Sequence, residues 1–180
     1  MNDSMPRSVT RTLRIDPELD KAIGRRASND RVSVNFLVNR CIRRFVEWDA
    51  LTAQFGMVTV PRLVLSELAG GKDTDAIERL GRMVARNFLE PAATYSLGTF
   101  DVASAIEMLR RSSTYGGRFS FDVGDGHDSH SHVIVIRHDE GWTWSRYYVG
   151  LLDEAFRVIL GKDTKITFTD ALCVAQLGAP

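Results

Sequence analysis

From Val9 to Asp16 the chain reads VTRTLRID. Its odd positions (Val9, Arg11, Leu13, Ile15) are mostly apolar and its even ones (Thr10, Thr12, Arg14) carry hydroxyls and a guanidinium. A period of two predicts a short strand with one apolar and one polar face, with Arg11 on the apolar side as the exception. A helical period follows in DPELDKAIGRRASNDR. Asp16 is a good N-cap and Pro17 suits the first helical position. Leu19, Ala22, Ile23 and Ala27 make one narrow stripe, and Ser28, Asn29 and Asp30 read as its stop. The next segment, SVNFLVNRCIRRFVEWDALTAQF, is opened by Ser33 and is apolar at Val34, Leu37, Val38, Cys41, Ile42, Phe45, Val46 and Trp48. That is more than one stripe, so this helix must bury two sides. It is expected to run to about Phe55, with GMVTV as a short connection.

The rest of the pattern predicts three helices, a hairpin, a helix and a strand. PRLVLSELAGG is a short helix between Pro61 and Gly70-Gly71. DTDAIERLGRMVARNFLEP carries Ile77, Leu80, Met83, Val84 and Phe88 on one face and is expected to end before Pro91. TFDVASAIEMLRRSSTYGG places Val102, Ala103, Ile106 and Leu109 inward and breaks at Gly116-Gly117. RFSFDV alternates, and HVIVIRH is its antiparallel partner. WSRYYVGLLDEAFRVILG is a long helix, apolar at Tyr148, Leu151, Leu152, Ala155, Phe156 and Ile159. KITFTDALCVAQL is read as one final strand. Helices set against a small antiparallel sheet make an α+β domain.

One strand and two short helices cannot bury enough surface to fold alone with any margin, and the lone strand lacks a partner for its backbone. Both deficits vanish if two chains pair their strands antiparallel and interlock their second helices. Charge changes the picture further. Residues 1–44 carry ten Lys/Arg against five Asp/Glu, although the whole chain has 23 of each and no net charge. A basic end on an acidic body suggests that the first part meets a polyanion.

In TRTLRIDPEL and RVSVNFLVNRCIRRFVE the chain resembles the ribbon-helix-helix (Arc/MetJ-type) DNA-binding family, over roughly residues 8–50. The resemblance implies an obligate homodimer whose paired ribbon enters the major groove. Thr10, Thr12 and Arg14 would contact bases, Arg14 through guanine O6 and N7. Ser33, Val34 and Asn35 would offer helix-start N–H groups to a phosphate, with Arg7 and Arg11 as further backbone contacts. Arg11 departs from the family, which usually has an apolar side chain at that inward position. Alone, these residues would read as ordinary strand formers and a helix cap.

Composition, 44% apolar and 26% charged, is that of a globular chain. No stretch is long or apolar enough to span a bilayer, and MNDSMPRS lacks an apolar signal core. A cytoplasmic location without a membrane partner is therefore the default expectation. Cys41 and Cys173 lie on apolar periodic segments, so two buried thiols are expected rather than a disulfide. No Gly-rich phosphate loop, nucleophile elbow or paired-cysteine zinc signature occurs, and no enzymatic activity is expected. A catalytic reading of His138, Asp139 and Ser145 would rest on proximity in sequence alone.

Residues 148–176, YVGLLDEAFRVILGKDTKITFTDALCVAQ, with Gly150 on a helix and Cys173 on a strand, faintly resemble the end of vinyl-reductase-type ligand-binding domains. The resemblance implies an apolar pocket, or a self-association surface, beside the last helix. Trp142, Trp144, Tyr148 and Cys173 are the candidate lining, against the plainer reading of tryptophans packed on a sheet. All four histidines (His127, His130, His132, His138) and Asp128 cluster in HDSHSHVIVIRH. Such imidazoles can hold Zn²⁺ or Ni²⁺, as in the nickel-responsive ribbon-helix-helix repressor, whose βαββαβ sensor order this helix-rich body lacks. A polar hairpin loop is the preferred reading.

The expected protein thus has a ribbon-helix-helix domain over residues 1–54 and an α+β ligand-sensing or oligomerisation domain over 55–180. It would be a dimeric or higher-order regulator binding double-stranded DNA sequence-specifically, with a small-molecule or metal effector. The alternatives are a Ni/Zn-responsive repressor, an antitoxin-like protein-binding module and, less favoured, an enzyme with a DNA-binding appendage.

Overall fold

The structure, a computed structural model, describes residues 9–126 and 131–178. By its internal contacts the chain divides between Arg44 and Phe45 into two units.

In the first unit residues 9–15 form no strand with any described segment and lie exposed. The strand expected there has no partner among the described residues, and an unpaired strand has nothing to hold its hydrogen bonds. Helix α1 spans Pro17–Asp30, and Asp16 Oδ1 accepts the Glu18 N–H at 2.9 Å. It runs through the expected stop at 28–30. It ends only where Arg31 turns left-handed (φ 54°) and Val32 N–H reaches back to Ala27 O at 3.0 Å. Helix α2 spans Val34–Arg44, with Ser33 Oγ accepting the Phe36 N–H at 3.1 Å. Ala27 is the one buried residue of this unit among those described. Val9, Leu13, Ile15, Leu19, Val34, Phe36 and Ile42 are between 36% and 73% exposed. Cys41, expected to be buried, is also exposed, since α1 and α2 bury Ala27 alone among the described residues of this unit.

The second unit is α+β. A π-helical turn, π1 (Phe45–Asp49), is followed by α3 (Ala50–Gln54) and α4 (Arg62–Ala69). Next come α5 (Thr74–Val84), π2 (Ala85–Leu89) and α6 (Glu90–Leu97), then α7 (Val102–Arg111) and π3 (Ser112–Gly116). The hairpin β1 (Ser120–Asp125) and β2 (His132–Arg137) precedes α8 (Trp142–Leu160), and β3 (Lys165–Phe168) and β4 (Leu172–Leu177) close the unit. The sheet order is β1-β2-β4-β3, every pair antiparallel. The end of the chain is therefore a hairpin and not the single expected strand: Thr169 to Ala171 turns it, with Thr169 N–H on Leu172 O at 2.8 Å. The turn lets β4 lie beside β2, with Ile134 opposite Ala175 and Ile136 opposite Cys173, all four buried.

Pro91 does not end its helix. A proline inside an α-helix removes one N–H and crowds the carbonyl four residues back; here π2 precedes α6, which contains Pro91 near its start. The buried face of α5 and π2 is Ile77, Gly81, Ala85 and Leu89, while Leu80 and Met83, expected inward, are exposed. Glycine explains the rotation. A Cβ on Gly81 would stand 2.1 Å from Tyr147 O, and one on Gly150 would stand 2.1 Å from Glu78 O. The backbones of α5 and α8 thus meet at two glycines, and α5 must turn Gly81 toward α8. In α7 the buried residues are Ser104, Ala105, Ile106, Met108 and Leu109, with Ala103, expected inward, exposed. No helix among the described residues is long and apolar enough to cross a membrane.

Candidate functional site

In the first unit Thr10, Arg11, Thr12 and Arg14 are all exposed, on a segment with no regular structure. Ser33 spends its oxygen on Phe36, so Val34 and Asn35 hold the remaining N–H donors at the start of α2. Both are exposed, and the Asn35 carbonyl and side chain accept from Asn39 Nδ2 at 2.8 and 3.1 Å. Arg7 lies outside the described residues.

In the second unit the histidine cluster is not brought together as far as it is described. His127 and His130 lie outside the described residues. His132 and His138 stand at opposite ends of β2, six positions or about 20 Å apart at strand spacing. Among the described residues no group of three His, Cys, Asp or Glu is arranged to hold a metal. His138 is instead part of a buried clamp. Its Nδ1 accepts the Glu140 N–H at 3.3 Å, which leaves the ring proton on Nε2, donated to Ser145 Oγ at 2.9 Å. Ser145 Oγ–H donates in turn to the Thr169 carbonyl, and Cys173 Sγ–H donates to the Ser145 carbonyl at 3.4 Å. No lone pair of His138 faces Ser145, so the pair ties the end of β2 to α8 and to the β3–β4 turn and is not wired as a nucleophile and base. Burial holds His138 below the usual histidine range, and Arg118 pushes the same way, against Glu140 and Asp139. Burial likewise pushes the Cys173 thiol up to about 11.

Of the expected pocket residues, Tyr148 lines a cavity against α8, and Trp144 lines a wider apolar groove with residues of α4 and α5. Trp142 is half exposed and packs on Phe168, ring centroids 4.8 Å apart. Trp144 is covered on one face by the Arg118 guanidinium, 3.8 Å from its ring centroid. Cys173 is buried in the sheet.

The cavity, about 200 Å³, lies in the second unit against α8. Tyr147, Tyr148 and Leu151 form its α8 wall, Phe88 and Leu89 come from π2, and Trp48 comes from π1. Ser112 and Gly116 of π3 and Arg118 and Phe119 of the following loop add to the lining. Its one charged group is neutralised: Arg118 Nη2 holds both Glu140 oxygens, at 2.8 and 2.9 Å. Burial pushes the Tyr147 phenol up to about 12 and raises that of Tyr148 as well, so both stay protonated at neutral pH. Without net charge and walled by aromatics, the cavity suits a neutral apolar molecule of one or two rings; an apolar cavity of roughly 150 Å³ already accepts benzene. Sequence reading missed Trp48, Phe88, Arg118, Phe119 and Tyr147 because six helical elements and two loops supply this lining. The adjacent tyrosines of WSRYYVG were the one local signal.

Comparison with protein-family models, with curated proteins and with solved structures finds no match to this chain.

Proposed function

We propose that the chain is a sequence-specific DNA-binding regulator that works as a homodimer, its second unit taking a small neutral ligand in the α8 cavity. The observation that carries this reading is the first unit's unmet need for a core: an alternating segment with exposed Val9, Leu13 and Ile15, followed by two capped helices that bury Ala27 and little else. A second copy pairing its segment antiparallel would bury Val9, Leu13 and Ile15 and leave Thr10, Thr12 and Arg14 in one row facing outward. That row, with the surplus of five positive charges in residues 1–44, is what a major groove recognises. The folded second unit favours this reading over an antitoxin-like one, whose partners usually grip a disordered tail.

A gel shift with genomic duplex fragments tests it. The wild type should retard a subset of fragments, with affinity falling steeply as salt rises, and Arg14→Ala should weaken the selected complex by about 1–3 kcal/mol. No retardation at low salt sinks the proposal.

A further inference from the structure

π-Helical residues are well under 1% of residues in globular proteins, yet three such turns border one cavity here. π1 supplies Trp48, π2 supplies Phe88 and Leu89, and π3 supplies Ser112 and Gly116. The three turns also touch one another at Trp48. Its ring meets Phe88 edge-on at 6.4 Å and Tyr115 at 6.2 Å, and the Tyr115 hydroxyl donates to Glu47 Oε2 at 2.6 Å. Gly116 lies beside the same indole: a Cβ there would be in ordinary van der Waals contact with Trp48 Cζ2, at 3.8 Å.

A π turn holds one residue more than an α turn over the same span. Its relaxation to α shifts the register of what precedes it by one residue, about 100° of helical rotation. Such a turn has two discrete arrangements, which is what a coupling element needs. The residue before π1 is Arg44, the last of α2.

We infer that occupancy of the cavity is read out through π1. An occupant displaces Trp48 from Phe88 and Tyr115, π1 changes its turn, and the change passes through the Arg44–Phe45 peptide bond to α2. This rests on the reading of the cavity as a ligand site and makes Trp48 the residue that reports occupancy. Indole loss at that position should leave a cavity that still fills but no longer signals.

The experiment is amide hydrogen exchange over residues 45–54 of the full chain, with duplex affinity measured alongside. Naphthalene serves as the occupant in one arm. In the other, Ser112→Phe or Val84→Phe fills the cavity from within, two variants being made so that one misfolded protein does not decide the result. Either filling should change exchange at 45–54 and move duplex affinity by about fivefold or more. With Trp48→Leu added, the affinity change should shrink to about twofold or less. Bound naphthalene with unchanged exchange at 45–54 overturns the relay and leaves the ligand site standing. A failure of naphthalene to bind overturns the ligand site and the relay together. Changed exchange without any duplex binding by the wild type upholds the relay and sinks the DNA-binding reading instead. A response that persists undiminished in Trp48→Leu also overturns it.

Discussion

Residues 9–44 and 45–178 use their apolar side chains in opposite ways. The first unit leaves seven large ones exposed and buries Ala27. The second joins α3 to α8 and the sheet in one contiguous core running from Leu51 to Leu177. Both have well-formed helix caps, so local structure is not what separates them. What separates them is chain length: about 36 residues cannot close a core and about 130 can. On the proposed reading a second copy completes the first unit, whereas the second unit closes around itself and keeps a cavity.

The sharpest way to break this contrast is at the closest packing of the second unit. Gly81→Ala or Gly150→Ala forces the α5 and α8 backbones apart and should cost about 3 kcal/mol or more, read from denaturant unfolding of the full chain. A loss under about 1 kcal/mol would show that the helices part easily. Next, Leu13→Ala should weaken the first unit's self-association by about 2 kcal/mol, measured by sedimentation equilibrium, and should leave the second unit's unfolding unchanged. Equal effects on both would show that the first unit does not depend on a second copy. Asp16→Ala removes the cap of α1 and should lower first-unit stability by about 1 kcal/mol, seen as lost helicity at low protein concentration. The smallest effect is a slope with pH. His138 titrates lower folded than its ordinary 6.5, so the unfolded chain binds more protons just below that value. Stability is then full above 6.5 and falls as pH drops toward the folded value. In His138→Gln the loss of Tm between about pH 7.5 and about pH 5.5 should be smaller; an unchanged slope would place the titration elsewhere.

Legibility followed the same divide. Asp16-Pro17 and Ser33 fixed two helix starts that the structure keeps. The alternation of RFSFDV and HVIVIRH gave a hairpin that pairs from Ser120–Arg137 to Asp125–His132. The long helix of WSRYYVGLLDEAFRVILG is present as α8. Reading failed where the deciding neighbour is remote in sequence. Leu80 and Met83 look inward by periodicity, yet Gly81 faces α8 because Gly150 lies opposite it. Pro91 looks like a stop, yet the helical run continues beyond it after π2. In KITFTDALCVAQL the turn at Thr169 to Ala171 carried only weak polar punctuation, and pairing with β2 decided it.

By itself the sequence determined where helices begin, where strands alternate, and that the basic end cannot hold a core alone. Those properties depend on residues within a turn or two of one another. Tertiary structure alone decided which face of α5 is buried, that His138 and Ser145 form a clamp, and that Trp48, Phe88 and Tyr148 enclose one space. A cavity is a shape left between elements, and its walls come from residues 100 positions apart, from Trp48 to Tyr148, with no spacing along the chain to announce it.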